Sequence, residues 1–487
     1  MITSQKRVTG VSAPTGFGKT PSVIAFALLS GKPTCVVTAS RGLQDQYMQD
    51  FESIGLVDLR GRSNYACEAR PDCTCEEGHS FRCPCIGTIK CPHSQAEMRA
   101  ATSRLVVTNY AKWTSARKWG QGMTHFEQVI FDEGHEVPQA LADALQVTLS
   151  EKDFTRLAMD PPDDVEEFAS WKVWAAKARR VAEAATIRAH GRILGVTDPK
   201  IAHLREYNHL KNLTRWLIML ATAKASDWVA EEMENFYQFD PIRPAKYAES
   251  AMLLKIPRII IVSATLRPKT LHMLGIGKAD YDFCEFDSDF DPKRCPIYYV
   301  PTMRVDARAK DLSPLWNRLD QIMAARRDRK GIVHTVSYAR RDEITQRSRF
   351  WESMIVNPKG EAPTEMIQSF KASGPGTVLV SPSVGAGYDF PGRECEWQFM
   401  CKIPFQPPSK ILKAREQDDP EYRSYQAMQK LVQTFGRGMR SREDSCENFI
   451  GDEHLDWFKP RFGHLAPKSF HGFFKRVEVL PQPPRRL

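Results

Sequence analysis

The sequence lacks any long hydrophobic run. No apolar stretch reaches the about 18 residues of a membrane-spanning helix, and the opening MITSQKRVTG has no apolar core of the signal-peptide kind. The sequence also lacks a large excess of charge of one sign, because 68 Lys and Arg are nearly balanced by 59 Asp and Glu, and the net charge is +9 over 487 residues. We therefore expect a cytoplasmic protein without a membrane partner, and the small basic excess mildly favours a polyanion partner.

The twelve cysteines lack the C-x2-C spacing of a zinc ribbon. Six are scattered along the chain, and the other six lie close together. In a chain of this length, such bunching indicates a metal site rather than disulfide bonds. The bunched cysteines follow the spacing C-x5-C-x-C-x7-C-x-C-x5-C and are Cys67, Cys73, Cys75, Cys83, Cys85 and Cys91.

Six cysteines are more than one metal centre needs. Four thiolates suffice for an iron–sulfur cubane, so two must be spare or the ion must be different. Neighbours at i and i+2 in an extended loop point to opposite sides, which predicts one ligand from each C-x-C pair. We choose the second cysteine of each pair, Cys75 and Cys85, and the first of each remains an alternative. The nearby His79 and His93 keep a structural zinc site open as the alternative to iron.

A Gly-rich segment near the start, APTGFGKT, is close to the phosphate-loop pattern G-x-x-x-x-G-K-[ST]. A β-branched run precedes it and the apolar PSVIAFALLS follows it, which is the strand, loop and helix context that such a loop needs. Ala13 replaces the first Gly at little cost, because that position only shapes the turn. We predict that the loop binds phosphates and Mg²⁺ through Pro14, Thr15, Gly16, Gly18, Lys19 and Thr20.

Two further motifs suit phosphate chemistry. In VIFDEGH, an apolar strand ends at Asp132 and Glu133, where one carboxylate can hold Mg²⁺ and the next can orient the attacking water. In QTFGRGMR, the residues Gln433, Arg437 and Arg440 are spaced so that both arginines can aim at one developing phosphate charge. Taken separately, each motif has a structural alternative. Asp132 and Glu133 could be the first residues of a helix, and Arg437 and Arg440 could lie on an exposed basic helix face. No other acid cluster has metal-ligand spacing, which argues against a nuclease.

Short β-branched runs such as TCVVTAS and GIVHTVSY alternate with helical segments in two series along the chain. This alternation predicts an α/β fold with two tandem parallel-sheet domains. A stretch without β-branched runs interrupts the first series and has helical spacing. We place the first domain at 1–290 with a Cys-rich insertion at 64–93 and a helical insertion at about 138–254, the second domain at 291–480 and a loose tail at 481–487.

The motifs resemble those of a known family. APTGFGKT, DEGH, SAT and QTFGRGMR, in this order, resemble motifs I, II, III and VI of superfamily 2 helicases. SPSVGAGYDFPG resembles motif V, with Gly387 and Asp389 in the places that serve the nucleotide site. GRSNYAC, CPH followed by VVTNY, and KIPF resemble the iron–sulfur branch, the XPD and DinG helicases, and in particular its shorter phage and bacterial members.

This resemblance covers essentially the whole chain. It implies two tandem RecA-like P-loop domains with ATP and Mg²⁺ between them, a 4Fe–4S cluster with Cys67 and Cys91 as its outer ligands, and an arch-like helical insertion. It also implies a monomer in the bacterial cytoplasm that moves 5′ to 3′ on single-stranded and forked DNA. The residues that it makes catalytic are Glu133, Gln433, Arg437 and Arg440.

Two alternatives to a DNA helicase remain. A nucleic-acid-binding module with a degenerate ATPase would not need the intact Glu133 and Arg437, and the cysteine insertion disfavours an RNA-directed helicase. The family contacts adenine through a Gln before the phosphate loop, but only 18 residues precede Lys19, and Gln5 lies too close to it. We expect either a start farther upstream or adenine recognition that is weakened or supplied elsewhere.

Overall fold

The structure is a computed structural model. It describes residues 4–118, 125–306, 309, 311–356, 364–382, 384, 388 and 390–484. The predicted site residues Gly387 and Asp389 lie outside the described residues. Within the described ranges, every helix is too short or too polar to cross a membrane.

The described residues form nineteen strands, numbered here in chain order. They are β1 (Val8–Ser12), β2 (Thr34–Thr38), β3 (Val57–Asp58), β4 (Ala66–Cys67), β5 (Arg70–Thr74), β6 (Leu105–Asn109), β7 (Gln128–Asp132), β8 (Val147–Ser150), β9 (Trp228–Glu232), β10 (Phe236–Pro241), β11 (Arg258–Ser263), β12 (Tyr281–Glu285), β13 (Ile297–Met303), β14 (Gly331–His334), β15 (Met354–Val356), β16 (Val378–Ser381), β17 (Trp397–Met400), β18 (Glu447–Asp452) and β19 (Phe474–Arg476).

Seventeen α-helices connect or cover these strands in the part of the chain that the structure describes. They are α1 (Lys19–Ser30), α2 (Arg41–Phe51), α3 (Cys75–Ser80), α4 (Pro92–Thr102), α5 (Tyr110–Lys118), α6 (Val137–Leu145), α7 (Glu151–Leu157), α8 (Phe168–Gly191), α9 (Ile201–Thr222), α10 (Ala245–Ala248), α11 (Pro268–His272), α12 (Ser313–Ala325), α13 (Tyr338–Arg347), α14 (Thr364–Ala372), α15 (Lys410–Asp418), α16 (Tyr422–Phe435) and α17 (Leu455–Phe462).

Each of two lobes is built on a seven-stranded, all-parallel sheet. The first has the order β12-β1-β11-β7-β2-β6-β3, and the second has the order β15-β16-β14-β17-β18-β13-β19. Strands such as β2 and β7 are buried at every residue, as expected of a parallel sheet with helices on both faces. The predicted α/β class with two tandem parallel-sheet domains is confirmed.

Strand register brings the first-lobe motifs to one edge of the sheet. Ser12 at the end of β1 pairs with Ser263 at the end of β11, and Val262 pairs with Asp132 at the end of β7. Because parallel strands end on the same side, the phosphate loop, DEGH and SAT segments follow one another along this edge. Ligands of open α/β sheets bind at such an edge, so the fold itself places the candidate site.

A helical insertion follows the DEGH segment. Its long helices α8 and α9 pack side by side on an antiparallel sheet of order β8-β10-β9. Helix α8 presents a stripe of small residues to the leucines of α9, which lets the two backbones approach closely. The buried residues of the two stripes are Ala175, Ala178, Ala182, Ala185 and Ala189 on α8 and Leu210, Leu213, Leu217 and Leu220 on α9. The segment from β8 to β10, residues 147–241, is here called the arch.

The Cys-rich insertion packs against the arch. Arg70 pairs with Asp198 at 2.8 Å, and Arg205 on α9 pairs with Glu77 on α3, also at 2.8 Å. Side chains of Cys67, Cys73 and Cys83 share a small apolar cluster with Ile193 and Leu204 of the arch. The two insertions therefore contact each other as well as the first lobe, although they are separated along the chain.

Candidate functional site

The phosphate loop joins β1 to α1. Its Gly16 and Gly18 have left-handed backbone angles, with φ of 76° and 78°, which glycine adopts without strain. Lys19 begins α1, and its Nζ donates to the carbonyl oxygen of Pro14 at 3.2 Å. Burial lowers the pKa of Lys19, while the carboxylates of Glu133 and Asp132 act in the opposite direction. The ammonium group thus lies in the field of both acids of the DEGH segment, the predicted Mg²⁺ ligand Asp132 and the predicted catalytic Glu133.

Asp132 is a buried carboxylate at the end of β7, only 4% exposed. Its two oxygens accept from the Tyr47 hydroxyl at 3.0 Å and from the backbone N–H of Glu133 at 2.9 Å. Burial and the neighbouring charge of Glu133 raise the pKa of Asp132. A divalent cation would relieve both effects, so this carboxylate suits the predicted Mg²⁺ ligand.

Glu133 is held by a hydrogen-bonded chain of side chains. The Ser263 hydroxyl donates to Glu133 Oε2 at 3.2 Å, and His135 Nδ1 lies 2.7 Å from the same hydroxyl oxygen. Burial opposes protonation of His135, but the carboxylates of Glu133 and Glu136, 3.4 and 3.5 Å from its ring nitrogens, raise its pKa to about 9. Burial alone would raise the pKa of Glu133, but the interaction with His135 outweighs burial, and the pKa is lowered. The predicted water-orienting acid is therefore ionised and fixed in position.

The second lobe brings its three predicted residues to this edge. Gln433 Nε2 donates to the Thr265 hydroxyl of the first lobe at 3.4 Å. Burial lowers the pKa of both Arg437 and Arg440, and Glu133 across the cleft opposes this at each guanidinium. Arg437 Nη1 also donates to the carbonyl oxygen of Tyr388. The two arginines thus approach the acids of the other lobe.

Every predicted nucleotide-site residue within the described ranges lies along this cleft. The two sides approach closely, since a Cβ placed on Gly436 would lie 3.5 Å from the Thr15 hydroxyl. Sequence reasoning missed Tyr47, which is 85 residues from its partner Asp132 and sits in no motif. His135 and Ser263 lie inside the DEGH and SAT segments, but neither pattern indicates the hydrogen-bonded chain from His135 through Ser263 to Glu133.

The cysteine cluster lies on the hairpin of β4 and β5, the start of helix α3, and the loop that joins α3 to α4. Its thiols form two close pairs, with 3.5 Å between the Sγ atoms of Cys67 and Cys83 and 3.9 Å between those of Cys75 and Cys91. Thiolates on one tetrahedral zinc ion are about 3.8 Å apart, so either spacing suits shared metal binding. In the part of the chain described, no three His, Cys, Asp or Glu side chains converge on one ion position.

The two cysteines outside these pairs differ in environment. Cys73 is buried with Ile193 and Leu204, whereas Cys85 is half-buried and its backbone N–H donates to the Cys83 sulfur at 3.4 Å. Gly78 leaves space beside the cluster, since a Cβ there would lie 2.9 Å from Cys67 Sγ. Four of the six thiols, Cys67, Cys75, Cys83 and Cys91, are thus buried in pairs, which is the donor set that a metal centre with soft ligands requires.

Two family models match the chain. The model "Type III restriction enzyme, res subunit" matches residues 1–159, and "Helicase C-terminal domain" matches residues 321–471. A curated relative, the ATP-dependent DNA helicase YoaA of Haemophilus influenzae, is 24% identical over 212 residues, which are 31% of this chain and 33% of that protein. The match therefore spans about a third of the relative's length.

Solved structures of XPD proteins share the fold. An XPD helicase aligns with a TM-score of 0.63 at 15% identity, covering 96% of each chain. Xpd4 of S. tokodaii aligns with a TM-score of 0.62 at 13% identity, covering 97% of this chain and 96% of that chain. Together with the motif order, the two family models and the shared fold confirm the resemblance to superfamily 2 helicases of the XPD/DinG type.

Proposed function

We propose that the chain is an ATP-dependent DNA helicase that hydrolyses ATP in the cleft between its lobes. The observation that carries this proposal is the meeting of opposite charges across the cleft. A Cβ on Gly16 of the phosphate loop would lie 3.1 Å from the carbonyl oxygen of Arg440, so this segment of the second lobe lies against the loop, and the charge of Glu133 opposes the lowering by burial of the pKa of Arg437 and of Arg440. A binding module without turnover would have no need of that arrangement.

Each residue has a defined part in hydrolysis. Lys19 and the backbone N–H groups of the loop would bind the phosphates, while Thr20 and Asp132 would hold Mg²⁺. Water attacks the γ-phosphorus, Glu133 accepts a proton from that water, and the bond to the bridging oxygen breaks to leave ADP and phosphate. Arg437 and Arg440 stabilise the charge on the transferred group, and electrostatic stabilisation of this kind is usually the largest single contribution to catalysis.

Hydrolysis would be coupled to movement through contacts between the lobes. Gln433 contacts Thr265 next to Ser263, and Ser263 is hydrogen bonded to Glu133. Loss of the γ-phosphate would weaken the attraction between the arginines and the first lobe, so the cleft would open and close with each cycle. Such cycles would step the chain along single-stranded DNA held by backbone contacts and base stacking, with 5′ to 3′ polarity by family resemblance.

The deciding experiment is ATP hydrolysis by the intact chain and by Lys19→Ala, each alone, with single-stranded DNA and with single-stranded RNA. We expect hydrolysis that single-stranded DNA stimulates more than RNA does and that Lys19→Ala abolishes. Greater stimulation by RNA would favour the RNA-directed alternative. DNA binding without hydrolysis would favour the binding module. Unwinding of forked duplexes with a 5′ or a 3′ tail would then give the polarity.

We also propose that Cys67, Cys75, Cys83 and Cys91 hold a metal centre, an iron–sulfur cluster by family resemblance and zinc as the alternative. Cys83 takes the place that the sequence prediction gave to Cys85, because Cys83 faces Cys67 whereas Cys85 is half-buried. Burial raises the pKa of Cys67 and of Cys75, whereas at Cys91 burial is outweighed by the neighbouring Ser94 and Cys75 and the pKa is lowered, which favours the thiolate there. The centre would fix the shape of this small insertion.

Metal content of matched variants tests this ligand set. Iron, sulfide and zinc are measured after anaerobic purification of the intact chain, Cys83→Ser and Cys85→Ser. We expect Cys83→Ser to lose most of the bound metal and Cys85→Ser to keep it. The reverse result would restore Cys85 as the ligand, and equal retention in both would mean that neither thiol is required.

A further inference from the structure

Two large aromatic side chains are exposed beside the phosphate loop. Phe17 and Phe286 are 41% and 45% exposed, yet their rings contact each other, with centroids 4.9 Å apart and planes inclined by 37°. Single exposed hydrophobic residues are common, but a contacting pair of aromatic rings in solvent at a candidate ligand site is a feature that binding sites use. The proposed chemistry of hydrolysis leaves both rings without a role.

Both rings are fixed to the nucleotide-binding edge of the sheet. Phe17 lies inside the loop, between Gly16 and Gly18. The backbone N–H of Phe286 donates to the carbonyl oxygen of Ser12, the last residue of β1, at 2.8 Å. Farther along the same segment, the ring of Phe290 packs on Gly16, where a Cβ would come within 2.6 Å of it. The aromatic pair is therefore attached to the loop at two points.

The sheet order gives the direction in which a nucleotide would lie. On one side of β1 lie β11 and then β7, and the acids Asp132 and Glu133 lie at the end of β7. Phe286 follows β12, which borders β1 on the other side. A nucleotide whose terminal phosphate and Mg²⁺ lie toward Asp132 extends its base away from those acids. The base then comes to the side of the loop where the two phenylalanines are exposed.

We infer that Phe17 and Phe286 form a stacking platform for the base of the nucleotide held by the phosphate loop. The inference rests on the proposed ATP site and adds the part of the ligand that the phosphate contacts leave unassigned. Stacking on an aromatic ring contributes to binding for every base, because every base has a π-face. Purines offer more area than pyrimidines, so the platform favours purine nucleotides while discriminating little between adenine and guanine.

The test separates the base from the phosphates. Binding of ADP and of inorganic tripolyphosphate, both with Mg²⁺, is measured by calorimetry for the intact chain, Phe286→Ala, Phe17→Ala, Phe286→Trp and Leu29→Ala. The last variant truncates a side chain on α1 that is 74% exposed. We expect each alanine variant at the platform to weaken ADP binding by about 5- to 150-fold, the range of base–aromatic stacking, with little change for tripolyphosphate. Phe286→Trp and Leu29→Ala should bind both ligands as the intact chain does.

Three results would overturn the inference. Unchanged ADP affinity in Phe286→Ala would show that the base lies elsewhere. An equal loss for ADP and tripolyphosphate would show that the ring only shapes the loop. If neither ligand bound the intact chain, the proposed ATP site would itself fail, whereas tripolyphosphate binding that Lys19→Ala abolishes would keep that site and isolate the platform as the point in question.

Discussion

At the scale of single residues, Gly134 occupies a position with no space for a side chain. A Cβ there would lie 2.3 Å from Ile261 Cγ2 and 3.2 Å from the backbone nitrogen of Val262. Both neighbours belong to the buried strand β11, so they cannot move away cheaply. We expect Gly134→Ala to lower the free energy of unfolding by about 1–3 kcal/mol and to displace the adjacent Glu133. Urea denaturation and ATP hydrolysis of the variant measure the two effects.

Gly191 provides the matched control. It ends helix α8, and a Cβ there would meet no atom within 4 Å. Gly191→Ala should therefore be neutral or stabilise the chain by up to about 1 kcal/mol, since alanine restricts the unfolded state more than glycine does. Equal destabilisation by both substitutions would refute the steric argument for Gly134.

A buried ion pair in the second lobe gives a second prediction for single residues. Arg326 donates from Nε and Nη2 to the two carboxylate oxygens of Glu447, each at 2.7 Å, and both side chains are at most 1% exposed. Arg326→Met leaves the buried carboxylate with only the distant Arg329 Nη1, at 4.0 Å, so we expect a loss of about 3–5 kcal/mol in the free energy of unfolding. Urea denaturation followed by a probe in the second lobe measures it.

The exposed pair of Arg7 and Glu249 is the comparison for this prediction. It has the same bidentate form, at 2.9 and 2.8 Å, but its side chains are 37% and 46% exposed. Solvent screens such a pair, so Arg7→Met should cost at most about 1 kcal/mol. Similar losses for Arg7→Met and Arg326→Met would mean that burial does not set the strength of these pairs.

At the scale of elements, Asp153 joins the start of α7 to α9 of the arch. Its carboxylate accepts hydrogen bonds from the backbone N–H and the hydroxyl of Ser150, and these two residues form a capping box. The carboxylate also pairs with His209. Burial opposes the effect, but these hydrogen bonds lower the pKa of Asp153 to about 2. A depressed carboxyl pKa stabilises the fold above the unfolded value near about 4, and the stabilisation is lost as pH falls toward 2.

We therefore expect Asp153→Asn to destabilise the arch by about 2 kcal/mol near neutral pH, with the difference from the intact chain shrinking as pH falls from about 4 toward 2. Hydrogen exchange in α7 and α9 across this range measures it locally. A difference that stays constant with pH would mean that packing, and not the ionised carboxylate, is what the substitution removes.

Local patterns explain which elements could be predicted from sequence. The β-branched runs and the APTGFGKT segment carry their own signals, so the two parallel sheets and the phosphate loop followed from them. The choice within the C-x-C pairs assumed an extended chain, but Cys73 lies in β5 while Cys75 begins α3, so alternation of sides does not apply there. The platform of Phe17 and Phe286 depends on the pairing of β12 with β1, a contact between distant segments that no local pattern encodes.

At the scale of the whole molecule, the second lobe contacts the arch as well as the first lobe. Lys269 of α11 pairs with Asp419 at 2.8 Å, which joins the lobes beside the nucleotide cleft. Helix α15 reaches the arch, where the backbone N–H of Lys410 donates to Glu231 of β9 at 3.0 Å. Because α15 leads through a short turn into α16, which ends at the GRGMR segment, movement of the second lobe would be transmitted to the arch.

Arg415 is the buried centre of this contact between the second lobe and the arch. Its guanidinium donates to the Tyr422 hydroxyl of its own lobe at 2.9 Å and to the carbonyl oxygen of Pro241, at the end of β10, at 3.1 Å. Hydrogen bonds from a charged donor contribute about 1.5–3 kcal/mol, so Arg415→Met should free the arch and raise hydrogen exchange in β9 and β10 by on the order of 10-fold or more. Lys413→Met, which changes an exposed residue of the same helix, should leave exchange unchanged. Unaltered exchange in Arg415→Met would mean that the arch is held by its own fold and by the Cys-rich insertion, and that it does not follow the second lobe.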